Sequence, residues 1–295
     1  MQHFVSLMVL ATLLLASCAK PIADFTYTGQ DAPVPCTVQF ANQSRHADTW
    51  FWEFGNGETS SEASPSCTYT LSGNYTITLT ASKGDNAHRM EKTIQITAPE
   101  PCLVEIQTPY GNMLAQLSNE TPLHRDNFMH LVEQQFYDSL LFHRVIRNFM
   151  IQGGDPNSKG AGPDARLGSG GPGYQIDAEF RDDMVHTKGA IAAARTGDQV
   201  NPQKKSSGSQ FYIVQGNRVS DSILDQIEAK KGFRYTSEQR EAYKRLGGTP
   251  HLDRDYTVFG HIIEGLEVID KIAAARTRPG DRPEEDVWMI MRVVK

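Results

Sequence analysis

The chain has 295 residues, a net charge of −6 and a pI near 5.9, so it is long enough for two domains that each bury a core. Residues 20–99 carry 5 basic and 8 acidic side chains and residues 100–295 carry 24 and 27, a balance of −3 in each part. Neither part offers the basic face that a nucleic acid requires, and nucleic acid is excluded as a partner.

Residues 1–17 contain no Lys, Arg, Asp or Glu and are dominated by the apolar run from Val5 to Ala16. That run is too short to span a bilayer and reads as a signal peptide. The junction Leu15-Ala16-Ser17-Cys18 resembles a bacterial lipobox. The resemblance implies lipidation at Cys18 and a mature N-terminus, residues 18–20, held on a membrane surface without a span. It also implies a place in the bacterial cell envelope, periplasmic or at the outer membrane. Removing Cys18 leaves Cys36, Cys67 and Cys102. An exported chain permits disulfides. Cys36 shares side-chain parity with Val38 and Phe40, and Cys67 shares it with Tyr69, so both point into one β core. This predicts a Cys36–Cys67 disulfide, the alternative being two buried thiols, with Cys102 left over.

Residues 21–98 read as all-β. Thr37-Val38-Gln39-Phe40 and Tyr75-Thr76-Ile77-Thr78-Leu79-Thr80 alternate apolar and polar, and Gly55-Asn56-Gly57 and Ser72-Gly73-Asn74 are turn chemistry. Trp52-Glu53-Phe54-Gly55-Asn56-Gly57, with Tyr69 and the stretch Gly73 to Leu79, resembles the PKD domain, an Ig-like β-sandwich. That family usually has Asp where Glu53 and Asn56 stand, which weakens any ligand claim. Trp50, Phe51 and Trp52 invite a rival reading as a glycan- or protein-binding surface lipoprotein, although alternate residues of such a run are normally sandwich core.

Residues 99–101, within Ala98-Pro99-Glu100-Pro101, form a short stiff linker because X-Pro steps hold the chain extended. The second domain spans 102–295. Val104 and Ile106 alternate toward a hairpin turn at Tyr110-Gly111, and Thr121-Pro122 supplies an N-cap and a first-turn proline. Phe128, Leu131 and Val132 then recur at helical spacing through about Gln134. Residues 153–173 are glycine-rich and predict a long loop. Ile223, Leu224 and Ile227 predict a turn or two of helix. Thr236-Ser237-Glu238-Gln239 predicts a capping box before a helix that stops at Gly247-Gly248. A last helix near Leu266–Ala275 and a strand at Val287–Val294 follow.

The chemistry concentrates in Phe142-His143-Arg144-Val145-Ile146-Arg147-Asn148-Phe149-Met150-Ile151-Gln152-Gly153-Gly154-Asp155. Arg144, Phe149 and Gln152 fall at alternating or near-alternating positions of an apolar segment, which predicts that several share one strand face. A guanidinium donates hydrogen bonds but is not a base. Two further blocks follow in order: Gly189-Ala190-Ile191-Ala192-Ala193-Ala194-Arg195 with Ser207-Gly208-Ser209-Gln210-Phe211-Tyr212-Ile213, and His251-Leu252-Asp253 with Tyr256-Thr257-Val258-Phe259-Gly260. Together they resemble the cyclophilin-type peptidyl-prolyl cis/trans isomerases over roughly residues 102–295.

The resemblance implies a closed antiparallel β-barrel with flanking helices and isomerisation of X-Pro bonds in proline-containing polypeptides. It implies no metal and no cofactor, and a monomer. Arg144, Gln152 and Phe149 are implied catalytic residues. Met150, Ala194, Arg195, Gln210, Tyr212, His251, Leu252 and Tyr256 are implied substrate contacts. The main chain at Ala194 and Arg195 would pair with the extended peptide. His251 stands where cyclosporin-sensitive members carry Trp, and Tyr256 where His is frequent, so cyclosporin affinity should be low. A binding-only scaffold that keeps the pocket is the closest alternative. Gly168-Ser169-Gly170-Gly171-Pro172-Gly173 matches a dinucleotide pattern in letters only, since Pro172-Gly173 does not open a helix. Segments 196–206 and 217–249 are longer than in compact members.

Overall fold

The computed structural model describes residues 19–98, 100 and 102–294. The expected signal peptide, Cys18, Pro99 and Pro101 lie outside the described residues. Two compact units emerge: one from segments ending at Ile94, the other from Gln95 onward together with the short segments Gln30–Thr37 and Thr68–Asn74.

Among the described residues the N-terminal region contains seven strands: β1 (Phe25–Thr28), β2 (Cys36–Asn42), β3 (Thr49–Glu53), β4 (Thr59–Ser60), β5 (Ser66–Tyr69), β6 (Gly73–Lys83) and β7 (Asn86–Ile96). They form a three-stranded sheet, β1-β2-β5, and a four-stranded sheet, β4-β3-β6-β7. The alternation of β2 works as period 2 requires: Cys36, Val38 and Phe40 are buried and their neighbours are exposed. Phe25 of β1 and Phe40 of β2 meet the Trp52 ring of β3 at 5.2 and 5.7 Å between centroids. Trp52 is fully buried and its indole N–H donates to the Glu62 carbonyl at 3.0 Å. Phe51, one residue earlier, faces out and is 44% exposed. The aromatic run is therefore core on one face only. Asn56 works inside its own turn, accepting from the Glu58 N–H at 3.0 Å.

The expected Cys36–Cys67 disulfide is not present. Both side chains are buried, as their parity predicted. However, the Thr37 and Thr68 hydroxyls meet at 2.8 Å and the Phe40 N–H reaches the Pro65 carbonyl, a register that sets Cys36 diagonal to Cys67. Diagonal neighbours across a ladder are about 7–8 Å apart, beyond disulfide reach. The Cys67 thiol instead lies 3.4 Å from the Glu58 carboxylate and 3.3 Å from the Asn56 amide.

From Leu103 the strands are β8 (Leu103–Thr108), β9 (Gly111–Leu117), β10 (Leu140–Leu141), β11 (Arg144–Ile146), β12 (Met150–Gly153), β13 (Gln175–Ile176), β14 (Ala190–Ala193), β15 (Ser206–Ser207), β16 (Phe211–Val214), β17 (Val258–Glu264) and β18 (Trp288–Val294). The helices are α1 (Pro122–Glu133), α2 (Asp221–Lys231), α3 (Ser237–Leu246) and α4 (Leu266–Ala273). Nine strands form one antiparallel sheet in the order β10-β18-β8-β9-β17-β14-β16-β12-β11, and β13 pairs with β15. Residues of α1 and α4 join the buried core against this sheet, among them Phe128, Leu131, Val268 and Ile272.

The sheet is curled but open, which corrects the expected closed barrel. Its two edges, β10 and β11, are two and three residues long and separated in sequence only by Phe142-His143. At the outer side of β11 a single bond from the Val145 N–H reaches the Asp281 carbonyl, in irregular chain before β18. Strands this short do not carry a ladder across the gap.

Local signals fared unevenly. The capping box is present: Gln239 N–H donates to Thr236 Oγ1 at 3.2 Å, and Thr236 N–H to Gln239 Oε1 at 3.0 Å. Thr121 makes no cap with its side chain. The Glu179 carboxylate, 55 residues downstream, receives the Leu123 and His124 N–H groups at 3.1 and 3.0 Å instead. A carboxylate at that helix end also suits the dipole. α2 is longer than the predicted turn or two.

Candidate active site

The signature run is a hairpin, not one strand. β11 ends at Ile146, Arg147–Phe149 turn with Asn148 at φ +65°, and β12 returns from Met150. Arg144 and Gln152 share a face through cross-strand pairing rather than spacing along one strand: Arg144 pairs with Gln152, Gln152 with Tyr212, and Tyr212 with Ala192. Phe149 sits in the turn beside that row. The intervening residues Val145, Ile151, Ile213 and Ile191 enter the interior core. The outer row joins a second buried cluster of Met150, Ala192, Tyr212 and Val258, flanked by Phe149, Leu252 and Tyr256. Both faces of the sheet are buried here, which explains why these strands lack polar alternation.

Gly153-Gly154 ends the hairpin. Gly154 has φ +86°, and a Cβ there would overlap the Ser209 carbonyl oxygen. Only glycine allows β12 to run this close to the Ser207–Gln210 block.

Above the outer cluster lies a cleft of about 820 Å³. Nine of the eleven predicted site residues line it: Arg144, Phe149, Met150, Gln152, Ala194, Arg195, Tyr212, Leu252 and Tyr256. Gln210 lines an adjoining groove of about 520 Å³ that shares Gln152, Ala194 and Arg195. His251 lines neither, but its ring stacks on Phe149 at 5.7 Å.

Arg144 is half exposed, and its Nε donates to Asp281 Oδ2 at 3.3 Å. Gln210 is fully engaged within the protein. Its Oε1 accepts from Gln152 Nε2 at 3.1 Å and its Nε2 donates to the Gly168 and Gly170 carbonyls at 3.1 and 2.7 Å, so it braces Gln152 and the glycine-rich loop. The Ala194 N–H donates to the Gln210 carbonyl and the Ala194 carbonyl accepts from the Ser207 N–H. The Ala194 N–H is therefore committed within the protein, whereas its carbonyl keeps a second lone pair for a donor. Arg195 Nε donates to the Asp255 carbonyl at 2.7 Å, and its guanidinium lies 4.5 Å from the Tyr256 ring centre. Tyr212 is buried, which raises its phenol well above the ordinary range, and its hydroxyl is 3.0 Å from His186 Nε2.

Sequence reasoning missed part of the lining. His143 is buried in the wall with neither ring nitrogen hydrogen-bonded, and burial lowers its pKa below the usual imidazole value. Arg278, Pro279, Gly280 and Arg282 form a further wall. Arg282 donates to the Gly162 carbonyl at 2.8 Å and so pins the loop that carries Asp164 and Arg166 into the cleft. Pro279-Gly280 is turn chemistry, but nothing local connects it to Arg144, more than 130 residues earlier.

An arginine donor at the rim of an apolar floor, braced by glutamines on a curled antiparallel sheet, defines a cyclophilin-type fold and site. The family model described as cyclophilin type peptidyl-prolyl cis-trans isomerase/CLD matches residues 103–294, and a PKD domain model matches residues 18–98. A protein of Staphylococcus saprophyticus provisionally named a peptidyl-prolyl cis-trans isomerase is 36% identical over 183 residues, covering 62% of this chain and 86% of that protein. A Streptococcus pyogenes protein provisionally named a bifunctional phosphatase/peptidyl-prolyl cis-trans isomerase is 37% identical over 187 residues. The match covers 62% of this chain and only 37% of that longer relative. A Cryptosporidium parvum cyclophilin-type isomerase crystal structure superposes with a TM-score of 0.47 at 22% identity, over 66% of this chain and 98% of that one. The chain belongs to the cyclophilin-type peptidyl-prolyl cis-trans isomerase family, and its reaction is the isomerisation of X-Pro peptide bonds.

Proposed function

We propose that this isomerase works on exported polypeptides from a lipid anchor at Cys18, in the bacterial cell envelope, and that Arg144 supplies the catalytic hydrogen bond. Residues 102–295 are the isomerase domain, 99–101 its linker, and 21–98 an Ig-like sandwich of the PKD type. The lipobox-like junction at Leu15–Cys18 supports the anchor and the compartment.

The observation that carries the mechanism is the row Arg144–Gln152–Tyr212 on one face, beneath a cleft floored by Met150 and walled by Phe149, Leu252 and Tyr256. Rotation about X-Pro faces a barrier of about 18–20 kcal/mol because amide resonance is lost. In the twisted state the prolyl nitrogen becomes pyramidal and regains a lone pair. A guanidinium N–H aimed at that nitrogen stabilises the twisted state over both planar ones. The apolar floor grips the ring while the acyl side turns. Gln152 orients the peptide, and Arg195 offers main-chain groups that, among the described residues, pair with no other main-chain group. No covalent intermediate arises.

NMR exchange spectroscopy of an X-Pro peptide with the full chain tests this reading. Uncatalysed exchange takes tens of seconds or longer, and substoichiometric protein should bring it into the range of the measurement. Peptide binding with no faster exchange would make the protein a binding-only scaffold.

A further inference from the structure

Residues 217–249, between β16 and the cleft wall, supply no side chain to the chemistry above, yet they grip that wall. Lys231, the last residue of α2, donates to the His251 carbonyl at 2.8 Å and the Asp253 carbonyl at 2.6 Å, and reaches Asp255 Oδ2 at 2.6 Å. An ammonium has three N–H donors, and all three hold residues 251–255. The same loop is held from within. Asp253 is 2% exposed. Its Oδ2 accepts from the Tyr235 and Tyr243 hydroxyls, both at 2.6 Å, and its Oδ1 from the His186 N–H and Nδ1 at 2.8 and 2.7 Å. Tyr235 and Tyr243 sit in a separate buried cluster with Val219 and Leu224. Burial first, and then the Asp253 charge, raise both phenols above their usual range, so both remain donors. Leu252 and Tyr256, which flank this clamp, are cleft walls, and His251 stacks on Phe149.

We propose that residues 217–249 are a buttress that preorganises the proline pocket, with Lys231, Tyr235 and Tyr243 as positioning residues for the Leu252–Tyr256 wall. This rests on the isomerase reading of the same cleft. A wall fixed before binding spares the ligand the cost of ordering a loop. Because the wall touches planar and twisted peptide alike, loosening it weakens binding more than it slows the bound reaction.

The test uses the full chain, an X-Pro peptide, its Kd by NMR titration, kcat and KM by exchange, and hydrogen exchange across 251–256. Lys231→Met should raise Kd and KM about fivefold with kcat within about twofold, and speed hydrogen exchange in that loop. Lys231→Arg should restore most of the affinity, and Lys230→Met, an exposed neighbour, should match the wild type. The pair Tyr235→Phe/Tyr243→Phe should reproduce the Lys231→Met result, and it decides the matter if Lys231→Met does not fold. Kd within about twofold of wild type in both the Met and the double-Phe variants overturns the proposal. A wild-type chain that binds peptide without exchanging it sinks the isomerase reading alone, since Kd still reads the buttress.

Discussion

Replacing Arg144 by Ala probes the mechanism most directly. Arg144 lies on a three-residue edge strand, with a side chain 43% exposed and one 3.3 Å contact to Asp281. Loss of so exposed an ion pair costs about 0–1 kcal/mol, so the fold should survive with Tm lowered by a few degrees at most. The catalytic loss should be larger. A hydrogen bond from a charged donor contributes about 1.5–3 kcal/mol, which is roughly 13- to 160-fold in rate. The upper end belongs to sites closed to water, and Arg144 is half exposed, so the expected fall in kcat/KM is roughly 10- to 50-fold. Arg144→Lys keeps the charge but loses the planar fork, and should recover only part of this. Protease-coupled turnover and NMR exchange on one X-Pro peptide, with Tm measured alongside, provide the reading. A kcat/KM for Arg144→Ala within about threefold of wild type refutes the donor role, as does a larger loss that merely tracks unfolding.

Phe149→Ala removes a half-buried wall and its stack on His251; we expect KM to rise roughly tenfold, about 1.4 kcal/mol of ring burial, in the same assay. Gly154→Ala places a Cβ against the Ser209 carbonyl at φ +86° and should cost more than about 2 kcal/mol, read as a lower urea midpoint; an unchanged midpoint would show that β12 shifts freely. Burial lowers the His261 pKa from 6.5 to about 4 in the folded chain. This stability is therefore present above about pH 6.5 and is lost as pH falls toward 4, because the unfolded chain takes up the proton first. His143 acts in the same direction. The Tm should drop across that window, and His261→Gln should flatten the slope. His251→Trp should strengthen cyclosporin binding by about tenfold or more through added aromatic burial and an indole donor, measured by tryptophan fluorescence.

Residues 217–249 bear on how such a cleft stays ordered without a closed barrel behind it. Loop 251–256 carries two cleft walls but belongs to no strand, and only its 3₁₀ turn at Pro250–Leu252 is regular. Polar clamps from α2 and the tyrosine cluster fix it where ladder bonds do not.

Signals confined to a few residues were readable in advance. The β2 alternation, the Tyr110-Gly111 hairpin, the Thr236 capping box and the helix beginning at Leu266 each rest on local sterics or on hydrogen bonds within one turn. Features that depend on register were not. Periodicity placed Arg144 and Gln152 on one strand, whereas a hairpin at Asn148 makes them cross-strand partners. Parity buried Cys36 and Cys67 correctly, yet it is silent about which residues face each other. Thr121 looked like a cap, but its role passed to Glu179 through a contact 55 residues away.

By itself, then, the sequence determined the family, the reaction and the residues at the centre of the cleft, because three ordered blocks carry the chemistry in their side-chain types. Only the tertiary structure decided that the sheet stays open, that Gln210 and the Ala194 N–H are used internally, and that Arg278 and Arg282 close a wall of the cleft. These are questions of which distant groups meet, and burial makes each partner's donors and acceptors binding on the other.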